Sequence, residues 1–141
     1  MFNGQPLPFF QPLIDTATGR IAGYEALARL RDDEGNIVSA GPLFTDPSVD
    51  PNDLLELDRT IRRMSLEAFR DNPEGFISIN ISPLWVSKLE PGKPLPSLQL
   101  LEEIGLPPEQ VVFEITELQG DIQELSDAVR RYREAGIRIA I

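Results

Sequence analysis

Three residues of this chain have the types to build an oxygen-donor site: Glu25, Asn80 and Glu114, each in or near the end of a short, largely apolar run. Two carboxylates and an amide are hard donors, suited to Mg²⁺ or Mn²⁺ rather than to softer ions. A pair of such ions can clamp a phosphodiester and generate hydroxide at neutral pH. Arg29 stands four residues after Glu25 and offers either a base for that acid or a partner for the acids at Asp32, Asp33 and Glu34.

The composition removes competing chemistries. The 141 residues include no cysteine and no histidine. Disulfides, thiolate metal sites and cysteine nucleophiles are therefore excluded, as are Ser-His-Asp catalysis and the usual zinc sites. The net charge of −10 repels a nucleic-acid backbone and argues against a polymer-binding role. A small phosphate ligand stays open, because bound divalent cations reverse the local sign. No run approaches the ~18 apolar residues of a membrane span. The N-terminus lacks the basic-then-apolar pattern of a signal peptide, so a cytoplasmic location is expected.

The elements that must position these residues can be read from period and punctuation. Residues 8–14 read as a first strand, Asp15 to Arg20 as a turn, and residues 21–30 as a second strand, the two forming an antiparallel hairpin. Residues 31–51 are a long polar connection with a short ordered piece around Ile37 and Val38. Asp50 and Pro51 open a helix whose apolar stripe is Leu54, Leu57, Ile61, Met64, Ala68 and Phe69, ending near Asn72. Residues 76–81 form a strand, and residues 84–89 a short helical turn. Ser97 caps a helix carrying Leu98, Leu101 and Ile104, stopped by Gly105. Residues 111–116 are a strand, Asp121 opens a helix ended by Gly136, and residues 137–141 begin another strand. Helix and strand alternating after a hairpin is the pattern of parallel sheet units with right-handed crossovers, an α/β fold.

Alternation along the strands sorts their residues into faces. Ile77, Ile79 and Ile81 oppose Phe76, Ser78 and Asn80; Val111, Phe113 and Ile115 oppose Val112, Glu114 and Thr116. In the second strand Glu25 and Arg29 oppose a face of Ala22, Tyr24, Ala26, Ala28 and Leu30. Parallel sheets carry their sites at the carboxyl ends of strands, where Glu25, Asn80 and Glu114 would meet. Plainer readings stand beside this one. Glu25 could be solvated or paired with Arg29, Asn80 could serve the turn before Pro83, and Glu114 with Glu117 could be the wet side of a strand end.

At these residues the chain resembles the EAL domain of cyclic di-GMP phosphodiesterases. The resemblance rests on Gln11-Pro12, Gly23-Tyr24-Glu25-Ala26-Leu27 with Arg29, Leu57-Asp58-Arg59, Asn80-Ile81-Ser82-Pro83, Glu114-Ile115-Thr116-Glu117, and residues 136–141 leading into the family's next motif. These matches fall in order over nearly the whole chain.

The resemblance implies the N-terminal part of a modified (β/α)₈ TIM-type barrel whose first strand is antiparallel. It implies metal-dependent hydrolysis of cyclic di-GMP to linear pGpG in bacterial second-messenger signalling. On that pattern Glu25, Asn80 and Glu114 are ligands in a two-metal Mg²⁺ or Mn²⁺ site. Gln11, Leu27 and Arg29 bind substrate, with the Arg29 guanidinium on a phosphate. Glu117 braces a site loop. Residues 1–141 correspond to an incomplete EAL domain: the family continues into an Asp-Asp-Phe-Gly segment and later Lys, Glu and Gln residues, and such barrels take about 250 residues. The 141 residues alone are thus expected to be inactive, and to self-associate as a homo-oligomer through the edge at 137–141. The competing expectation is an EAL-type cyclic di-GMP receptor or protein-interaction module without catalysis.

Overall fold

The computed structural model describes residues 4–81, 86, 89–115 and 122–140. Strand β1 (Gln5–Ile14) and strand β2 (Ile21–Arg31) pair antiparallel, with Gln11 opposite Glu25, Phe9 opposite Leu27 and Leu7 opposite Arg29. Asp15 builds the turn between them: its Oδ1 accepts from the Ala17 N–H, and its carbonyl accepts from Gly19. Both strands run longer than the apolar pattern suggested, because hairpin pairing continues past the last alternating residue.

Residues 31–51 are ordered along much of their length. Strand β3 (Ile37–Ser39) pairs with the end of β2, and a single helical turn, α1 (Gly41–Phe44), follows. The connection is anchored by Ala40, which is fully buried and donates its N–H to Ala28 O. A small apolar cluster forms beneath it from Leu30, Ala40, Leu57 and Ile61.

Helix α2 (Pro51–Asp71) begins as expected, with the Asp50 carboxylate accepting from the Asn52 N–H at 2.7 Å. Leu54, Leu57, Ile61 and Phe69 of the expected stripe are buried; the other two are not. Met64 and Ala68 are exposed; Asp58, Arg62, Ser65 and Leu66 are buried. Leu55, Leu66 and two charges join the buried face, and the charges neutralise each other: Arg62 Nη2 donates to Asp58 Oδ2. Arg62 Nη1 also reaches Ser97 Oγ at 3.3 Å.

Strand β4 (Phe76–Asn80) follows, then helix α3 (Pro96–Ile104), a 3₁₀ turn at Pro108–Gln110, strand β5 (Val111–Glu114), helix α4 (Ile122–Glu134) and strand β6 (Arg138–Ala140). Ser97 is not the cap of α3. Leu95 holds that position, and Ser97 lies inside the first turn, buried against Arg62. The expected helical turn at 84–89 falls mostly outside the described residues. Ile137 precedes the last strand: it is buried, and its N–H closes α4 by donating to Tyr132 O.

The sheet order is β1-β2-β4-β5-β6, with β3 on the end of β2. β2, β4, β5 and β6 are parallel, and β1 alone on this path is antiparallel. This is the α/β arrangement expected. One face carries the core: Ala26, Ile77, Ile79, Val111, Phe113 and Ile137 lie beneath Leu66, Phe69, Leu101, Ala128 and Tyr132. The Phe113 and Tyr132 rings meet edge to face at 5.1 Å. Fully burying a side chain such as Phe113 is worth about 1.5–3 kcal/mol.

Two glycines let β4 approach β2. Gly75 has φ +69°, and a Cβ there would run into the Ala22 carbonyl. At Gly23 a Cβ would collide with the Phe76 carbonyl and ring. Phe76 uses the vacant space on the uncovered face, and the Arg138 guanidinium stacks over its ring at 4.9 Å.

Candidate metal and phosphate site

The uncovered face of the sheet is where the polar residues gather. Register puts Glu25 of β2 beside Ser78 of β4, and Asn80 of β4 beside Glu114 of β5. Strand alternation sends Ile77 and Ile79 to the helix layer and leaves Ser78 and Asn80 on the other side. Three neighbouring parallel strands thereby bring two carboxylates and an amide together, at the last residues of β4 and β5 and near the end of the stretch of β2 that pairs with β4. The sequence alone left Glu25 open to either face; it lies opposite the helix-covered one.

Two hydrogen bonds tie the group together. Asn80 Nδ2 donates to Glu25 Oε1 at 3.2 Å, joining residues 55 apart in the chain. Ser78 Oγ donates to Glu114 Oε1 at 2.5 Å. Glu25 and Glu114 are partly buried and Asn80 is exposed, so the donors remain reachable from solvent. With its amino group turned to Glu25, Asn80 presents its carbonyl oxygen elsewhere. All three residues offer the hard oxygen donors a divalent cation of the Mg²⁺ or Ca²⁺ type takes. Among the described residues no group of three or more acidic side chains forms a metal centre by itself. The donor set fits such an ion in type.

Arg29 and its neighbours continue the same face along the hairpin. The Arg29 guanidinium lies 5.9 Å from the Phe9 ring and donates to its neighbour's carbonyl, Ala28 O, at 3.0 Å. It forms no ion pair with Glu25 among the described contacts, so the salt-bridge reading of that pair is not the one adopted. Gln11, exposed, faces Glu25 across the hairpin, and Leu27 faces Phe9. Glu117 lies outside the described residues.

Sequence reasoning did not single out Ser78 or Phe9. Their signal was parity alone: Ser78 is two before Asn80, and Phe9 two before Gln11. A separate cleft lies elsewhere on the molecule. A cleft of about 520 Å³ between α2 and α3 is lined by Arg59, Arg62, Arg63, Ser97 and Glu103 and by none of the site residues. Arg63 is held there by Glu67 at 3.0 Å and Glu103 at 2.6 Å.

Known proteins are similar to this chain in sequence and in fold. An uncharacterised EAL-domain protein of Bacillus subtilis, YkuI, is 31% identical over 140 residues, covering 96% of this chain and 34% of the relative. Its crystal structure, in complex with substrate c-di-GMP and calcium, superposes with a TM-score of 0.80 over 95% of this chain and 34% of that one. A probable cyclic di-GMP phosphodiesterase of Escherichia coli, PdeB, is 31% identical over 139 residues, 92% of this chain and 26% of that protein. A Klebsiella pneumoniae protein, BlrP1, at 22% identity, shares the fold with a TM-score of 0.74 over 96% of this chain and 34% of that one. The chain thus spans about a third or less of these relatives. The EAL domain model matches residues 2–141. With that match running along every strand that carries the site, the chain belongs to the EAL domain family.

Proposed function

We propose that this chain is part of a cyclic di-GMP phosphodiesterase, cleaving the cyclic dinucleotide to linear pGpG with Mg²⁺ or Mn²⁺. The observation that carries the reading is the hydrogen-bonded approach of Asn80 to Glu25 across two strands, with Glu114 beside Asn80 in register. Glu25, Asn80 and Glu114 would hold the cation. When bound, such ions supply Lewis acidity at a phosphoryl oxygen and neutralise charge in the transition state. Arg29 would meet a phosphate of the substrate through its planar fork of donors. Gln11 and Leu27 would line the groove along the hairpin, and Glu117 would brace a loop beside it. The complex of YkuI with c-di-GMP and calcium supports the same ligand and class of ion.

The test is hydrolysis of cyclic di-GMP by the whole protein that carries this chain, followed by chromatography of pGpG. We expect turnover that requires Mg²⁺ or Mn²⁺ and falls by a factor of at least about 10² in Glu25→Ala, the order lost when a major electrostatic contact to the transition state is removed. Retained, metal-independent turnover in that variant would reject the reading. Tight binding of cyclic di-GMP without any turnover would favour the receptor alternative.

Self-association through β6 belongs to the same proposal. Among the described residues β6 is paired on one side only, to β5, and Arg138 and Ala140 are exposed. The expected result is a homo-oligomer in light scattering of residues 1–141 at micromolar concentration; a clean monomer with a cooperative melt rejects it. No helix among the described residues is long and apolar enough to cross a membrane.

A further inference from the structure

We propose that Ser78 is a positioning residue for the metal site, fixing the carboxylate of Glu114 through its single hydroxyl proton; the role rests on the metal reading above. Ser78 is in the middle of β4 between Ile77 and Ile79, and it is 1% exposed. An alanine would fill such a place without a polar group to satisfy. The hydroxyl has one proton, and that proton goes to Glu114 Oε1 at 2.5 Å, within the range for a hydroxyl donating to an ionised carboxylate.

The bond is a diagonal one. Ser78 is opposite Val112 in register, and Glu114 is two residues further along β5. The Glu114 side chain is therefore drawn back along the sheet toward the row that holds Glu25, which is opposite Ser78 on its other side. Asn80 holds Glu25 Oε1 in the same manner. Alternate residues of one strand thus orient the carboxylates of its two neighbours. With Oε1 held, the plane of the Glu114 carboxylate is set before any cation arrives. Partners of this kind orient the groups that ligate a metal, and losing one typically weakens binding 10- to 100-fold.

The experiment is a Mn²⁺ titration of the whole protein, reading free ion by electron paramagnetic resonance, with thermal melting alongside. Ser78→Ala should weaken Mn²⁺ binding by roughly 10- to 100-fold while the protein still melts cooperatively. Ser78→Thr, which keeps the hydroxyl on a strand-compatible side chain, should restore most of it. Should Ser78→Ala fail to fold, Ser78→Cys keeps the volume with a far weaker donor and should show the same loss. Wild-type affinity in a folded Ser78→Ala or Ser78→Cys protein overturns the role of Ser78 and leaves the metal reading standing. Absence of Mn²⁺ binding by the wild type, at concentrations that saturate EAL-type sites, overturns both.

Discussion

Glu25 shows how a residue acquires a role from its neighbours. On its own it is an acid in a strand, with Arg29 four positions on. Its register with Ser78, its bond from Asn80 and its place away from the helix layer bring it into one polar group with both. The opposite case is the Asp58–Arg62 pair. Its four-residue spacing on a helix was readable, yet its burial was not, because burial depends on α3 and α4 folding over it. Burial raises the Asp58 carboxyl above its ordinary value, with Arg62 opposing that shift, and lowers the Arg62 guanidinium. Replacing Arg62 by Met leaves Asp58 buried without its cation and should cost about 3–5 kcal/mol in denaturant unfolding. The pH dependence follows from the sign of the shift. A carboxyl whose folded pKa lies above its unfolded value binds more protons when folded, so stability falls as pH rises through the interval between the two. Removing the guanidinium widens that interval. The deficit of Arg62→Met relative to wild type should therefore be smaller at about pH 5 than at about pH 8, and an equal deficit at both would contradict the assignment.

At the scale of elements, the hairpin, the three parallel strands and their helices were legible because each has a clean period and a hard stop. Gly105 and Gly136 end their helices as expected. The parts that were not legible are those in which tertiary contact overrides local pattern. Met64 and Ala68 satisfy a helical spacing but lie outside the stripe that packs. Ser97 has the chemistry of a cap and is used instead to meet Arg62. The ordered piece around Ile37 and Val38 exists because β2 overshoots β4 and leaves its last residues for β3. The junction between α2 and β4 is the most exacting of these places. Tyr24 donates its hydroxyl to Glu74 at 2.9 Å beside it, and Gly75 passes under the Ala22 carbonyl. Gly75→Ala combines a disfavoured φ with a main-chain clash and should lose about 2 kcal/mol or more. A melting temperature unchanged from wild type would show that this approach is not needed.

For the whole molecule, the sheet divides labour between its faces. The helix-covered side holds the core, and the other holds the polar site, as in barrels whose inner residues come from alternate positions of every strand. The net charge of −10 fits a site whose cations, rather than its surface, would attract an anionic ligand. The family resemblance was legible because several short motifs fall in order, each on an element the periodicity had already delimited. Which donors bond to which was not, because those bonds join residues up to 55 apart in the chain.

The alternation of Ile77, Ser78, Ile79 and Asn80 also sets what kind of change this protein can absorb over descent. Such a strand may exchange one residue for another at a single position, and only that face will notice. It cannot change in length. One residue added before Ser78 would turn isoleucines toward the site and polar groups into the helix layer at once. Within the connection between β2 and α2, the exposed tip at residues 33–36 is under no such constraint. Variation in length among descendants of this sequence belongs there, and the spacing from Glu25 to Asn80 can drift while the spacing from Ser78 to Asn80 stays fixed.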